Sequence, residues 1–274
     1  MTGDWTFLTY LWIVSLVLIL DGFWPVSEKR LARWSVRFDV RLSGEAPSWV
    51  RSRLRWARSV RWASFAVGMN LSALPMYMNV IDASRAGNFS NQLTSSSVFL
   101  APTIGALVAE LLVVQRPSGE HSAVLIRRRS QDYVDRFWVG AIIACGALSA
   151  AAEFAATFRQ VPKWGFAWVG PAAVLTALAS TTFGVRRISN RPVVAPDGPL
   201  IAADEALRAD GAHYIAGASV ALAVTATVAV LLLATPNGWW QIPIALANYL
   251  GIAWWGRLAV GERWSVALAR RAAA

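Results

Sequence analysis

The 274-residue chain has one cysteine, two histidines and only two lysines beside 24 arginines. Cys145 alone excludes an intramolecular disulfide and any zinc site built on several cysteines. His121 and His213 leave little for a histidine-based metal centre, so neither a metal nor a cofactor is expected. Charge is scarce as well, at 15 % of residues, where about 25 % is usual for a soluble domain. The sequence also lacks a glycine-rich phosphate loop followed by Lys-Ser/Thr, a His-Glu-x-x-His pair and a serine in a glycine elbow. Each of those places a nucleophile, metal or phosphate by a known geometry. With none of them present, no catalytic residue is assigned.

Apolar residues are what the chain has in excess. They make up 56 %, against roughly 45–50 % in soluble domains, and a monomer in water rarely exposes the patches this would leave. A helix needs about 20 apolar residues to cross a hydrocarbon core of about 30 Å. Seven segments meet or approach that length: about Trp5–Trp24, Val60–Asp82, Ser97–Val114, Phe137–Phe158, Trp164–Val185, Ala212–Ala234 and Trp239–Trp255. Backbone amides in lipid must be satisfied within their own segment, so spanning pieces are helices. The third and seventh are short, with a buried or re-entrant segment as their alternative reading. The seventh has no lysine for a retinal Schiff base.

Arginine placement orients the spans. Of 26 basic residues, 23 fall in the linkers after spans one, three and five and in the tail; the other side keeps Arg85, Arg159 and Lys163. The positive-inside rule then puts the N-terminus outside and the C-terminus in the cytoplasm, which requires an odd number of spans. Trp5, Trp24, Trp62, Trp138, Trp164, Trp239, Trp240 and Trp255 lie near span ends, as interfacial anchors do. The N-terminus has no basic region or small-residue cleavage site, so the first span reads as uncleaved. Asn88-Phe-Ser90 matches a glycosylation acceptor on the outer side. The expected fold is therefore an all-α integral membrane protein, a polytopic bundle of about seven transmembrane helices. It forms one transmembrane domain, 1–274, with cytoplasmic linkers at about 25–59, 115–136 and 186–211 and a tail at 256–274.

The net charge of +10 is read as attraction to anionic lipid headgroups, not to nucleic acid, because the arginines flank spans. Arg33, Arg37, Arg41 and Arg53 are the headgroup candidates. Residues Arg33 to Leu42 alternate polar and apolar with period two, yet Leu31, Trp34, Phe38 and Leu42 also share a helical face. A basic amphipathic helix on the bilayer surface is the preferred reading. The stretch Trp49–Arg61 is expected to run continuously into span two. Arg116-Pro117 to Leu125-Ile126 and Arg191-Pro192 to Leu200-Ile201 share a spacing, which suggests a repeated helical hairpin; proline after a helix end is the plainer account.

Polar groups inside spans are functional hypotheses because they are costly there. Glu110, near the cytoplasmic end of span three, and Glu153, near the outer end of span four, lie at different depths and cannot form a catalytic carboxylate pair. Pairing with Arg116 or Arg136, and with Arg159, competes with a proton- or ion-coupling role. Asn70, Asn79 and Asn248 are the uncharged candidates, with interhelical hydrogen bonding as the plainer alternative. Pro75, Pro102, Pro171 and Pro243 fall within spans and can kink them. On the cytoplasmic face, Asp132, Tyr133, Asp135, Asp204 and Glu205 could dock a partner, and Asp204 is expected to N-cap a short helix over 204–208. These features favour a non-enzymatic transport component in the inner membrane, either permease-like or the membrane subunit of a larger transporter. The alternatives are a lipid-acting enzyme using Asp132, Asp135, Asp204 and His213, and a structural subunit of a membrane complex.

Overall fold

The computed structural model describes residues 2–78, 100–112, 129–158, 169–191 and 198–234, with single positions at 242, 243, 246 and 253. Among the described residues the chain is all helical, with no strand. Its α-helices are α1 (Thr2–Phe23), α2 (Glu28–Arg37), α3 (Ala46–Met78), α4 (Leu100–Leu111), α5 (Arg136–Phe158), α6 (Val169–Asn190) and α7 (Gly198–Ala234). A single 3-10 turn at Ser130–Asp132 precedes α5. Two helices, α5 and α7, contain segments long and apolar enough to cross a membrane. A third appears if α1 and α2, bent by 77° at their junction, count as one broken span. Most of span seven, Asn79, Asn248, Asn88, Arg116, Arg159 and most of the suggested hairpin repeat lie outside the described residues.

α1 packs along α3, while α5, α6 and α7 pack together as a second group. α4 is wedged between them through close-approach glycines. A Cβ on Gly105 of α4 would collide with Ser64 of α3, and one on Gly184 of α6 would sit 2.8 Å from Leu107 of α4. α3 is continuous from Ala46, as the stretch Trp49–Arg61 implies; its 33 residues extend roughly 50 Å at 1.5 Å each. It carries the basic linker straight out of the apolar segment. α4 is described over 12 residues, Leu100–Leu111, about 18 Å by the same rise; the ends of the third expected span lie outside the described residues.

Three local expectations change. The period-two pattern over Arg33–Leu42 does not become a strand: α2 is capped by the Ser27 hydroxyl, which accepts from the Arg30 amide at 3.3 Å. Its Leu31 and Trp34, with Phe38 just after, are buried in a core shared with Val185 and Ile188 of α6 and Ala203, Leu207 and Ala212 of α7. The amphipathic helix therefore turns its apolar face to the protein, not to a bilayer. Asp204 is not an N-cap, because α7 starts six residues earlier and runs unbroken through it. The prolines do not break the helices either. α3 runs through Pro75, α4 through Pro102 and α6 through Pro171.

Candidate functional site

Three arginine-bearing regions meet at one end of the bundle. Val26 to Val50, Tyr133 and Val134, and facing residues of α6 and α7 share one apolar core. Embedded beside it is a network of five arginines and four carboxylates: Arg37, Arg53, Arg61, Arg191, Arg208, Glu110, Asp204, Glu205 and Asp210.

Glu110 is at its centre. The α4 wedge lowers this carboxylate onto the backbone of α7, where a Cβ on Gly211 would lie 2.5 Å from Oε1. Arg53 of α3 donates to Oε2 at 2.9 Å, Arg191 approaches the same oxygen at 3.5 Å, and Arg61 lies 4.0 Å from Oε1. The side chain is 5 % exposed. One carboxylate thus faces guanidinium groups from α3 and from the end of α6. Burial pulls the Arg53 guanidinium down to about 10, with Glu110 opposing that shift and Arg191 and Arg61 adding to it. Arg53 remains charged at neutral pH.

Arg208 is fully buried. It donates to Asp204 Oδ2 from Nε at 2.8 Å and from Nη2 at 2.6 Å, and its Nη1 donates to the carbonyls of Ile188 and Arg191. Those carbonyls belong to the end of α6, where a cation satisfies orphan acceptors and complements the helix dipole. Arg191 reaches the other Asp204 oxygen at 3.1 Å. Asp210 takes Arg61 at 3.3 Å and Arg37 at 3.9 Å. Arg61 also lies over the Tyr214 ring at 4.1 Å, within cation–π range. The Tyr133 hydroxyl donates to Glu205 at 2.7 Å. Arg61 Nε, Arg191 Nε and His213 Nδ1 are buried and have no hydrogen-bond partner among the described residues.

The remaining sequence candidates scatter. Glu153 lies at the other end of α7, with Oε1 3.3 Å from a Cβ on Gly170, beside Val230. Gly211 and Val230 are roughly 28 Å apart along the helix, so the two glutamates form no pair. Asn70 donates to Ser15 of α1 at 2.8 Å and to the Ala66 carbonyl, the interhelical role. Asp132 accepts from the Arg129 amide and Asp135 from the Phe137 amide, so both act as local caps. Tyr133, Asp204 and Glu205 are buried and face partners inside the chain. Of the headgroup arginines, Arg33 and Arg41 are exposed, whereas Arg37 and Arg53 turn inward to Asp210 and Glu110.

Sequence reasoning missed Arg61, Arg191, Arg208 and Asp210 as members of a site. The i,i+4 spacing of Asp204 and Arg208 was the available signal once α7 is read as one helix. Chemically, the network can hold helices in register or exchange its carboxylates for another anion. It contains no free acid–base pair. Among the described residues there is no group of three His, Cys, Asp or Glu that could hold a metal ion. The chain matches no protein-family model, no curated protein and no solved structure.

Proposed function

We propose that the chain is a multi-pass inner-membrane protein and acts as a non-enzymatic transport component, a permease-like protein or the membrane subunit of a larger transporter. The orientation follows the arginine asymmetry, with the ionic network at the cytoplasmic end. Glu110 carries this reading. It sits on α4 between the α1–α3 group and the α5–α7 group, and its partners come from both. Ion pairs across a seam between two helical groups are suited to a gate, because rocking one group against the other exchanges partners without unfolding either. The role of Glu110 is then to hold the cytoplasmic end closed, not to shuttle a proton.

Distance measurements between spin labels test it. Cysteines at Ser52 on α3 and Arg187 on α6, both exposed, are introduced after Cys145→Ser, and the protein is placed in lipid nanodiscs. Two distance populations are expected, with Glu110→Gln shifting weight to the longer one. A single distance unmoved by Glu110→Gln would make the chain a static subunit of a membrane complex.

A further inference from the structure

Arginines of the first linker fall into two classes. Arg51 is neutralised by Glu28 at 2.6 Å and Arg53 by Glu110 at 2.9 Å. Arg30, Arg55 and Arg58 have no carboxylate within ion-pairing distance among the described residues. They gather at the elbow between α1 and α2. Arg55 Nε donates to the Phe23 carbonyl at 3.1 Å, and Arg58 donates to the Trp24 carbonyl, so both cap the end of α1. Arg30, one turn into α2, and Arg55 act on Arg58 as like charges, and Asp21 is the nearby opposing one. The Arg58 Nε is buried without a hydrogen-bond partner.

Like charges held together at low counter-charge attract an anion. The surroundings say what kind. Phe23 and Trp24 are exposed at the elbow, Trp56 is exposed on the same turn of α3 as the two arginines, and Leu16, Val17 and Leu20 are exposed further up α1. A basic cluster at the foot of a helix with an exposed apolar face, beside exposed aromatics, matches a phosphate above two acyl chains. We infer that Arg30, Arg55 and Arg58 form a binding site for the phosphate headgroup of one anionic phospholipid of the cytoplasmic leaflet, with its chains lying along α1. This rests on the membrane orientation proposed above.

Native mass spectrometry of the full chain in detergent, titrated with phosphatidylglycerol or phosphatidylcholine, tests the site. The wild type is expected to retain phosphatidylglycerol preferentially. At about 1 kcal/mol per arginine near an anionic surface, Arg30→Gln alone should weaken it about fivefold and the triple glutamine variant on the order of a hundredfold. Because Arg55 and Arg58 also cap α1, Arg55→Lys with Arg58→Lys serves as the folded, charge-preserving control and should keep most of the preference. Arg186→Gln with Arg187→Gln, exposed arginines on α6, should leave it unchanged. Equal loss in that control pair, or no phosphatidylglycerol preference in the wild type, overturns the site. Displacement of the lipid by inorganic phosphate at matched concentration would make the ligand a soluble anion instead. A chain that stays soluble without detergent would defeat the membrane reading itself, a different failure from a membrane-embedded chain that shows no lipid preference.

Discussion

Among the described residues, α5 and α7 are the two helices apolar enough to cross a membrane unaided, and they are used in opposite ways. Only 11 % of the α5 window is buried against 83 % of that in α7. α5 turns Phe137, Ile143, Leu148 and Phe154 outward, while α7 buries alanines on every side, among them Ala203, Ala209, Ala212, Ala216, Ala221 and Ala226. Bulky residues suit a lipid-facing surface, and small ones let neighbouring backbones come close. Hydropathy passes both helices as candidate spans; side-chain size separates the wall from the axle. The buried helix also carries the larger share of charge, four groups against two on α5. Its first turns pair with arginines of α3 and the end of α6 and face the carboxylate of α4.

The sharpest way to break this contrast is to empty the centre of the network. Glu110→Gln leaves Arg53, Arg61 and Arg191 buried without their shared anion and should cost about 3–5 kcal/mol, read as a fall in thermal unfolding temperature in detergent. A double variant with Arg53→Met should recover part of that loss; no recovery would mean the two do not act as a pair. Next, Ala216→Leu on α7 should destabilise by about 1–3 kcal/mol through overpacking, while Ala147→Leu, exposed on α5, should leave unfolding unchanged. Equal effects would erase the distinction between the two helices.

Tyr133→Phe removes a buried donor to Glu205 and should cost about 1–2 kcal/mol, measurable in the same assay. The smallest effect belongs to Ser149→Ala. It deletes the 3.0 Å hydrogen bond from α5 to Thr227 of α7, worth about 0.6 kcal/mol in a membrane bundle.

Much of the helical layout was legible. Apolar length located α1, α5 and the apolar half of α7, and the basic run into span two became one long α3. Glu110 stood out because a carboxylate in an apolar run has to be explained. Its partners were not legible. Arg116 and Arg136 are near it in sequence, but α4 presents it to Arg53, 57 positions earlier, and to Arg191, 81 positions later. Asp204 was misread for a related reason. Acidic residues after a Pro-Asp-Gly-Pro segment resemble a new helix start, and only the buried arginines show why they can sit inside a continuous helix.

By itself the sequence determined the local quantities: which stretches are helical, how long each apolar run is, and which linkers carry the positive charge. These follow from composition along the chain and from the requirement that apolar helices satisfy their own backbone. The tertiary structure decided which apolar helix is enclosed, which arginines turn inward, and that arginines from two distant parts of the chain converge on one carboxylate. Those outcomes depend on pairings between residues far apart in the chain, and a side chain's cost in a buried place is set by what folding brings beside it.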